Sequence, residues 1–136
     1  MQISIMRGKV YLMGAGPGAA KLLPAEAVSL LRAAEVVLHD EAVSPEVLEL
    51  VSASAQVRNV DRLIESEAVS QDKILSLLIS AARDGRQVVR LRSVDTLSPE
   101  HVAEELEALI QANVDCEVIP MGRPALATAA GKNSAR

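Results

Sequence analysis

Phenylalanine and tryptophan are absent from this chain, and Tyr11 is its one aromatic residue. Nucleic-acid binding by base stacking has no platform. A net charge of -4 and an isoelectric point near 5.2 supply no basic footprint for a phosphate backbone either. The single cysteine, Cys116, cannot close an internal disulfide. No apolar run approaches the roughly 18 residues of a membrane span, and none carries a signal-peptide pattern. A soluble chain in a reducing cytosol is the expectation. The two histidines, His39 and His101, stand apart with no other ligand at metal-binding spacing, which disfavours a zinc site.

What remains is aliphatic. Apolar residues make up 49% of the 136 positions, so the core must come from Leu, Val, Ile and Ala. That composition suits helices packed on a buried parallel sheet, and the length suits one domain. Residues 1–120 carry the pattern of a folded domain, and 121–136 read as a flexible tail with little to anchor it.

Short apolar runs alternate with amphipathic stretches. The runs Lys9–Met13, Glu35–His39, Gln56–Val60, Gln87–Leu91 and Cys116–Ile119 are rich in Val, Ile or Leu and are bounded by charged or turn residues. They predict a five-stranded, mainly parallel sheet in a single three-layer α/β/α domain. Between them, a helix is expected from Pro24 with Ala27, Leu30, Leu31 and Ala34 inward, and a shorter one over Pro45–Val51. Another is expected over Asp72–Asp84, capped at Ser70, with Ile74, Leu77, Leu78 and Ala81 inward and Gly85 as the left-handed stop. The last runs from Pro99 behind Ser98, with Val102, Leu106, Leu109 and Ile110 inward and Asn113 ending it. Arg86, Arg90 and Arg92 alternate with apolar residues and read as solubilising charge, with a site contribution from Arg92 left open. His39 reads as a boundary packing residue, and Cys116, in an apolar strand, as a small hydrophobe.

In such a fold ligands sit at the strand C-terminal edge. Gly14-Ala15-Gly16-Pro17-Gly18 follows the first strand directly. Gly14, Gly16 and Ala19 satisfy a Gly-x-Gly-x-x-Ala fingerprint, and Asp40 ends the second strand, so an NAD-binding reading is open. Against it, Pro17 removes an N–H from the phosphate-cradling turn and the helix starts late, near Pro24. A plain tight strand-to-helix turn is the alternative to any ligand role.

The segment Gly8-Lys9-Val10-Tyr11-Leu12-Met13-Gly14-Ala15-Gly16-Pro17-Gly18 resembles the opening of the tetrapyrrole methylase family. Ala34-Glu35-Val36-Val37-Leu38-His39-Asp40 followed by Val43-Ser44-Pro45, then Gln71 to Leu91, and Glu104 to Pro120, continue the similarity over about residues 8 to 120. The resemblance implies S-adenosylmethionine as cofactor and methyl transfer to ring carbons of uroporphyrinogen III, in a homodimer. It implies two α/β domains flanking the cofactor, of which this chain matches the first, so that the second is expected from elsewhere.

By the same resemblance Asp40 falls at the proton-accepting aspartate and Arg62 at a lysine proton donor, while Pro17, Ser93, Val94 and Asp95 fall at positions lining the cofactor. Ser93-Val94-Asp95-Thr96 stands where the family has Gly-Gly-Asp-Pro, and a guanidinium is a poor proton donor near neutral pH. Ala19, Glu41, His101 and Met121-Gly122-Arg123 are further departures. A degenerate homologue kept as a binding or assembly module is therefore the alternative to a methyltransferase. Taken without the resemblance, Asp40 also reads as a solvated strand-end residue or a cap for the Pro45 helix, and Asp95 as a turn residue.

Overall fold

The structure, a computed structural model, describes residues 8–14, 23–67, 71–92 and 99–119. Five strands form one sheet: β1 (Lys9–Gly14), β2 (Val36–His39), β3 (Gln56–Asn59), β4 (Gln87–Arg92) and β5 (Asp115–Val118). Their order is β3-β2-β4-β1-β5, and every neighbouring pair is parallel. All five expected strands are present, with ends displaced by a residue or so. The helices are α1 (Ala25–Ala33), α2 (Pro45–Leu48), α3 (Val60–Glu67), α4 (Gln71–Arg83) and α5 (Pro99–Gln111).

Strand alternation divides the core into two layers. Val36 and Leu38 of β2 join Val10, Leu12 and Val88 against Ile74 and Leu78 of α4 and Leu109 of α5. Val37, one residue out of step, joins Met13, Val89 and Leu91 against Ala27 and Leu31 of α1 and Val47 of α2. Burying a Val, Leu or Ile side chain contributes about 1.5–3 kcal/mol, and with both sheet faces covered the strands must be apolar on both sides.

Two helix ends follow their sequence signals. Gly85 has φ 85°, its N–H donates to the Ala82 carbonyl at 2.9 Å, and the Arg86 N–H donates to the Ala81 carbonyl at 3.2 Å. Asn113 has φ 62° and repeats the pattern, with Asn113 N–H donating to Ile110 and Val114 N–H to Leu109. Both are left-handed stops that satisfy the last helical carbonyls. The expected caps at Ser70 and Ser98 and the 121–136 segment lie outside the described residues.

Three expectations need correction. Val60 does not close β3; it opens α3, which the sequence reading lacked, and Asn59 caps that helix by accepting from the Asp61 and Arg62 N–H groups at 3.0 and 3.2 Å. Pro24 precedes α1 with extended backbone, φ -67° and ψ 158°, so the helix begins at Ala25. Ile110 points outward and is 62% exposed, while Glu105, one turn before Leu109 on the buried stripe, points in. The inward face of α5 is turned toward a charged residue, for a reason that lies in the sheet beneath it.

The chain leaves β1 toward α1 on one face and leaves β4 toward α5 on the other. In open parallel sheets a ligand site is expected where neighbouring strands diverge in this way, which here is the edge formed by Gly14, Asp40 and Arg92.

Candidate functional site

Asp40 continues β2 by one residue. Its N–H donates to the Leu91 carbonyl at 3.1 Å, so strand spacing fixes its position beside β4. Like Leu38 two residues earlier, it faces the α4/α5 layer, as do Arg90 and Arg92 of β4. The Asp40 carboxylate is buried, at 5% exposure, and its Oδ1 lies 3.0 Å from Arg90 Nη2.

Arg90 is a hub. Its Nη1 donates to the carbonyls of Leu91 and Leu38 at 3.1 and 3.4 Å, and its Nε lies 3.4 Å from Glu105 Oε2. The same Glu105 oxygen accepts from Arg92 Nη1 at 2.8 Å. Two arginines and two carboxylates thus alternate in the interior, joining β2, β4 and α5. Desolvating an ion costs several kcal/mol, so such a cluster persists only when opposite charges and hydrogen bonds compensate it. Compensation is incomplete at one atom: among the described residues Glu105 Oε1 is buried and has no hydrogen-bond partner.

A second, exposed network lies alongside. The Glu41 N–H donates to Asp61 Oδ2 at 2.7 Å, Asn59 Nδ2 donates to Glu41 Oε1 at 2.7 Å, and Arg62 Nε lies 3.4 Å from that oxygen. The Asn59 hydrogen bond, followed by the Arg62 charge, holds the Glu41 carboxyl below its ordinary value. Arg62 therefore sits against the residue adjacent to Asp40, with its side chain 75% exposed.

The sequence-derived candidates divide accordingly. Asp40 and Arg62 come to the same edge of the sheet, whereas Pro17, Ser93, Val94 and Asp95 lie outside the described residues. Asp40 is neither solvated nor the cap of α2, since Ser44 Oγ accepts from the Glu46 N–H in that role. Arg90 and Arg92 are not solubilising charge: they are 2% and 8% exposed and paired, and only Arg86 of the three is at the surface. Glu105 was not anticipated. The signal for it was available, because an arginine inside a strand of a sheet covered on both faces requires a buried acidic partner.

His39 is buried as expected, its Nδ1–H donating to the Asp40 carbonyl at 2.9 Å. Burial pushes the half-buried Cys116 thiol up, which leaves it protonated and unreactive near neutral pH. Among the described residues no helix is long and apolar enough to cross a membrane.

Comparison with known proteins bears on this edge. Residues 9–132 match the model of the family described as Tetrapyrrole (Corrin/Porphyrin) Methylases. A uroporphyrinogen-III C-methyltransferase of Cyanidium caldarium is 39% identical over 122 residues, covering 90% of this chain and 49% of that protein. A siroheme synthase of Hahella chejuensis is 39% identical over 113 residues, covering 83% of this chain and 24% of that protein. The chain thus spans about half the length of the first relative and a quarter of the second. Among solved structures, uroporphyrin-III-C-methyltransferase from Thermus thermophilus superposes with a TM-score of 0.71 at 40% identity, covering 88% of this chain and 50% of that one. Another structure of the enzyme from that organism, complexed with S-adenyl homocysteine, superposes at 0.66 with 35% identity, covering 90% of this chain and 48% of that one.

Proposed function

Because the chain belongs to the tetrapyrrole methylase family, we propose that it forms the part of an S-adenosylmethionine-dependent C-methyltransferase that carries the proton acceptor, acting on uroporphyrinogen III or a related tetrapyrrole. The observation that carries this reading is the placement of Asp40: a buried carboxylate fixed by Arg90 at the strand edge where β1, β2 and β4 end. A carbon nucleophile that gains a methyl group must lose a proton, and a positioned carboxylate is a suitable acceptor.

One feature of the described residues supports a cofactor site here: α1 and α5, which follow the neighbouring strands β1 and β4, pack on opposite faces of the sheet, the arrangement at which parallel sheets bind ligands. Pro17, Ser93, Val94 and Asp95 are the residues that would line that site in this reading. S-adenosylmethionine, when bound, supplies a methyl group on a sulfonium. Asp40 takes the proton released from the ring carbon, and Arg90 holds the carboxylate in place while it does so. Arg62, adjacent through Glu41, contributes fixed positive charge near the substrate rather than a proton, since a guanidinium does not deprotonate near neutral pH. A second wall of the cleft, from a second α/β domain or another copy of the chain, completes the site in this reading.

A second reading, a binding or assembly module without catalysis, is favoured by one observation: Arg62 is bound up with Glu41 and Asn59 at the surface. Calorimetric titration with S-adenosylmethionine and with NAD separates the readings. Binding of the former supports the methyltransferase, binding of NAD instead revives the glycine fingerprint, and silence with both favours the module. With binding established, Asp40→Asn is expected to abolish methyl transfer to uroporphyrinogen III at unchanged cofactor affinity; unaltered turnover would remove the role assigned to Asp40.

A further inference from the structure

Arg58 in β3 and Arg86 in the turn before β4 are cations without a counter-ion. Among the described residues no hydrogen bond or ion pair reaches either guanidinium. Both line one groove of about 210 Å³ between the sheet and α4. Val36 and Leu38 of β2 line it from the sheet, and Leu77 and Ala81 line it from α4.

The groove follows from where α4 lies, which is over β4 and β1 rather than over the β3 edge. Ile74 and Leu78 of α4 are 1% and 0% exposed, whereas Leu77 and Ala81, from the same apolar stripe, are only half-buried. Aliphatic surface left in contact with water has free energy to gain from being covered. A charged residue on an edge strand blocks pairing with another sheet, and that accounts for Arg58. It does not account for Arg86, which arrives from a different element, nor for the aliphatic hollow that the two arginines share.

We infer that this groove binds a small aliphatic carboxylate, its hydrocarbon against Val36, Leu38 and Leu77 and its carboxylate on Arg58 and Arg86. Charge sets the class. Asp84 also lines the groove, so two arginines and one aspartate leave a net charge of +1, which matches one carboxylate rather than a phosphate dianion. A guanidinium presents parallel N–H donors in the geometry a carboxylate accepts. An amine would meet two like charges, and a neutral alcohol would leave both cations uncompensated. None of these residues belongs to the candidate site at Asp40, so the inference holds whether or not the chain transfers methyl groups.

Hexanoate is the probe, with 1-hexanol and hexylamine, a cation at neutral pH, as controls. Amide NMR titration of the full chain is expected to show saturable shifts at Arg58, Leu77 and Ala81 with hexanoate, and at most weak, unsaturated shifts with either control. Arg58→Gln and Arg86→Gln are each expected to weaken hexanoate binding about tenfold, the loss of a hydrogen bond to a charged group. Neither arginine is in the core, and a dispersed spectrum of each variant checks that the fold persists. The inference is overturned if hexanoate leaves those amides unmoved, if either control moves them as strongly, or if either variant binds hexanoate as tightly as the parent chain. Should one variant fail to fold, the other decides by the same criterion.

Discussion

Asp40 at the end of β2 and Arg90 within β4 face each other across the sheet at 3.0 Å, with side chains only 7% and 3% exposed. The contact ties the candidate proton acceptor to the most central strand of the sheet. It also makes the acceptor's orientation a consequence of strand register, since Leu38 pairs with Arg90 and Asp40 lies two residues further on the same face.

Breaking this pair from the cationic side is expected to be costly. Arg90→Met removes the guanidinium that lies between the buried Asp40 and Glu105 carboxylates, and removal of one partner of a buried pair costs about 3–5 kcal/mol. Urea unfolding followed by circular dichroism measures it. The double substitution Arg90→Met with Asp40→Asn should recover part of the loss, because the buried charge at position 40 is removed together with the cation that faced it.

Gly8 tests the other end of the sheet. Its N–H donates to the Ala82 carbonyl at 3.2 Å, and the chain passes so near the α4–β4 turn that an added Cβ would lie 2.5 Å from the Ala82 oxygen, 2.7 Å from the Arg86 nitrogen and closer still to the Arg86 oxygen. All three neighbours are backbone and cannot swing aside. Gly8→Ala is expected to destabilise by about 1–3 kcal/mol, read as a lowered urea midpoint at unchanged slope.

Asn113 holds φ 62° at the end of α5. Replacement by glycine removes the strain of a left-handed side chain, whereas a β-branched residue adds to it. Asn113→Gly should therefore leave stability unchanged or slightly raised, and Asn113→Val should lose about 1–2 kcal/mol in the same unfolding assay.

The strands and most helices were legible because a sheet covered on both faces forces near-continuous apolar runs, and Gly85 and Asn113 mark helix ends by backbone chemistry alone. α3 was missed because Val60 extends the apolar run of β3, and only Asn59 with Asp61 two residues on signals the cap. At the site, Asp40 was legible and its surroundings were not. Alternating arginines on a strand resemble a solvated face, and the fact that contradicts this, Glu105 on a helix distant in sequence, appears only when α5 is laid on the sheet. Ile110 was assigned inward for the same reason: helical period alone does not say that the buried stripe passes through a glutamate.

The Glu41 network predicts a pH dependence whose sign is fixed by its cause. Asn59, then Arg62, lower the Glu41 carboxyl in the folded state, so the stabilisation is fully present above the ordinary carboxylate value and is lost as pH falls through the lowered one. Asn59→Ala removes the main cause and also the cap of α3, the cap alone contributing about 1 kcal/mol. The Glu41 part of the difference between variant and parent should vanish under acid conditions, where both carboxyls are protonated, while the capping part persists. Unfolding curves collected from acid to neutral pH check this, and a difference independent of pH would show that Glu41 contributes nothing.

Cys116 offers a test of burial at the β5 edge. Desolvation raises its thiol, Asp115 adds to the rise, and Lys9 opposes it more weakly. A thiol held above its ordinary value carries little thiolate near pH 7, and alkylation proceeds through the thiolate. Iodoacetamide should modify Cys116 at least tenfold more slowly in the native chain than in urea, with the native rate still rising as pH passes the ordinary thiol range. Lys9 competes for this balance from β1, where its ammonium is committed to Glu117 at 2.8 Å and lies 5.1 Å from the Tyr11 ring centroid. Glu117→Gln frees that ammonium, and faster alkylation of Cys116 in this variant is the expected result; an equal rate would place the thiol under control of burial alone.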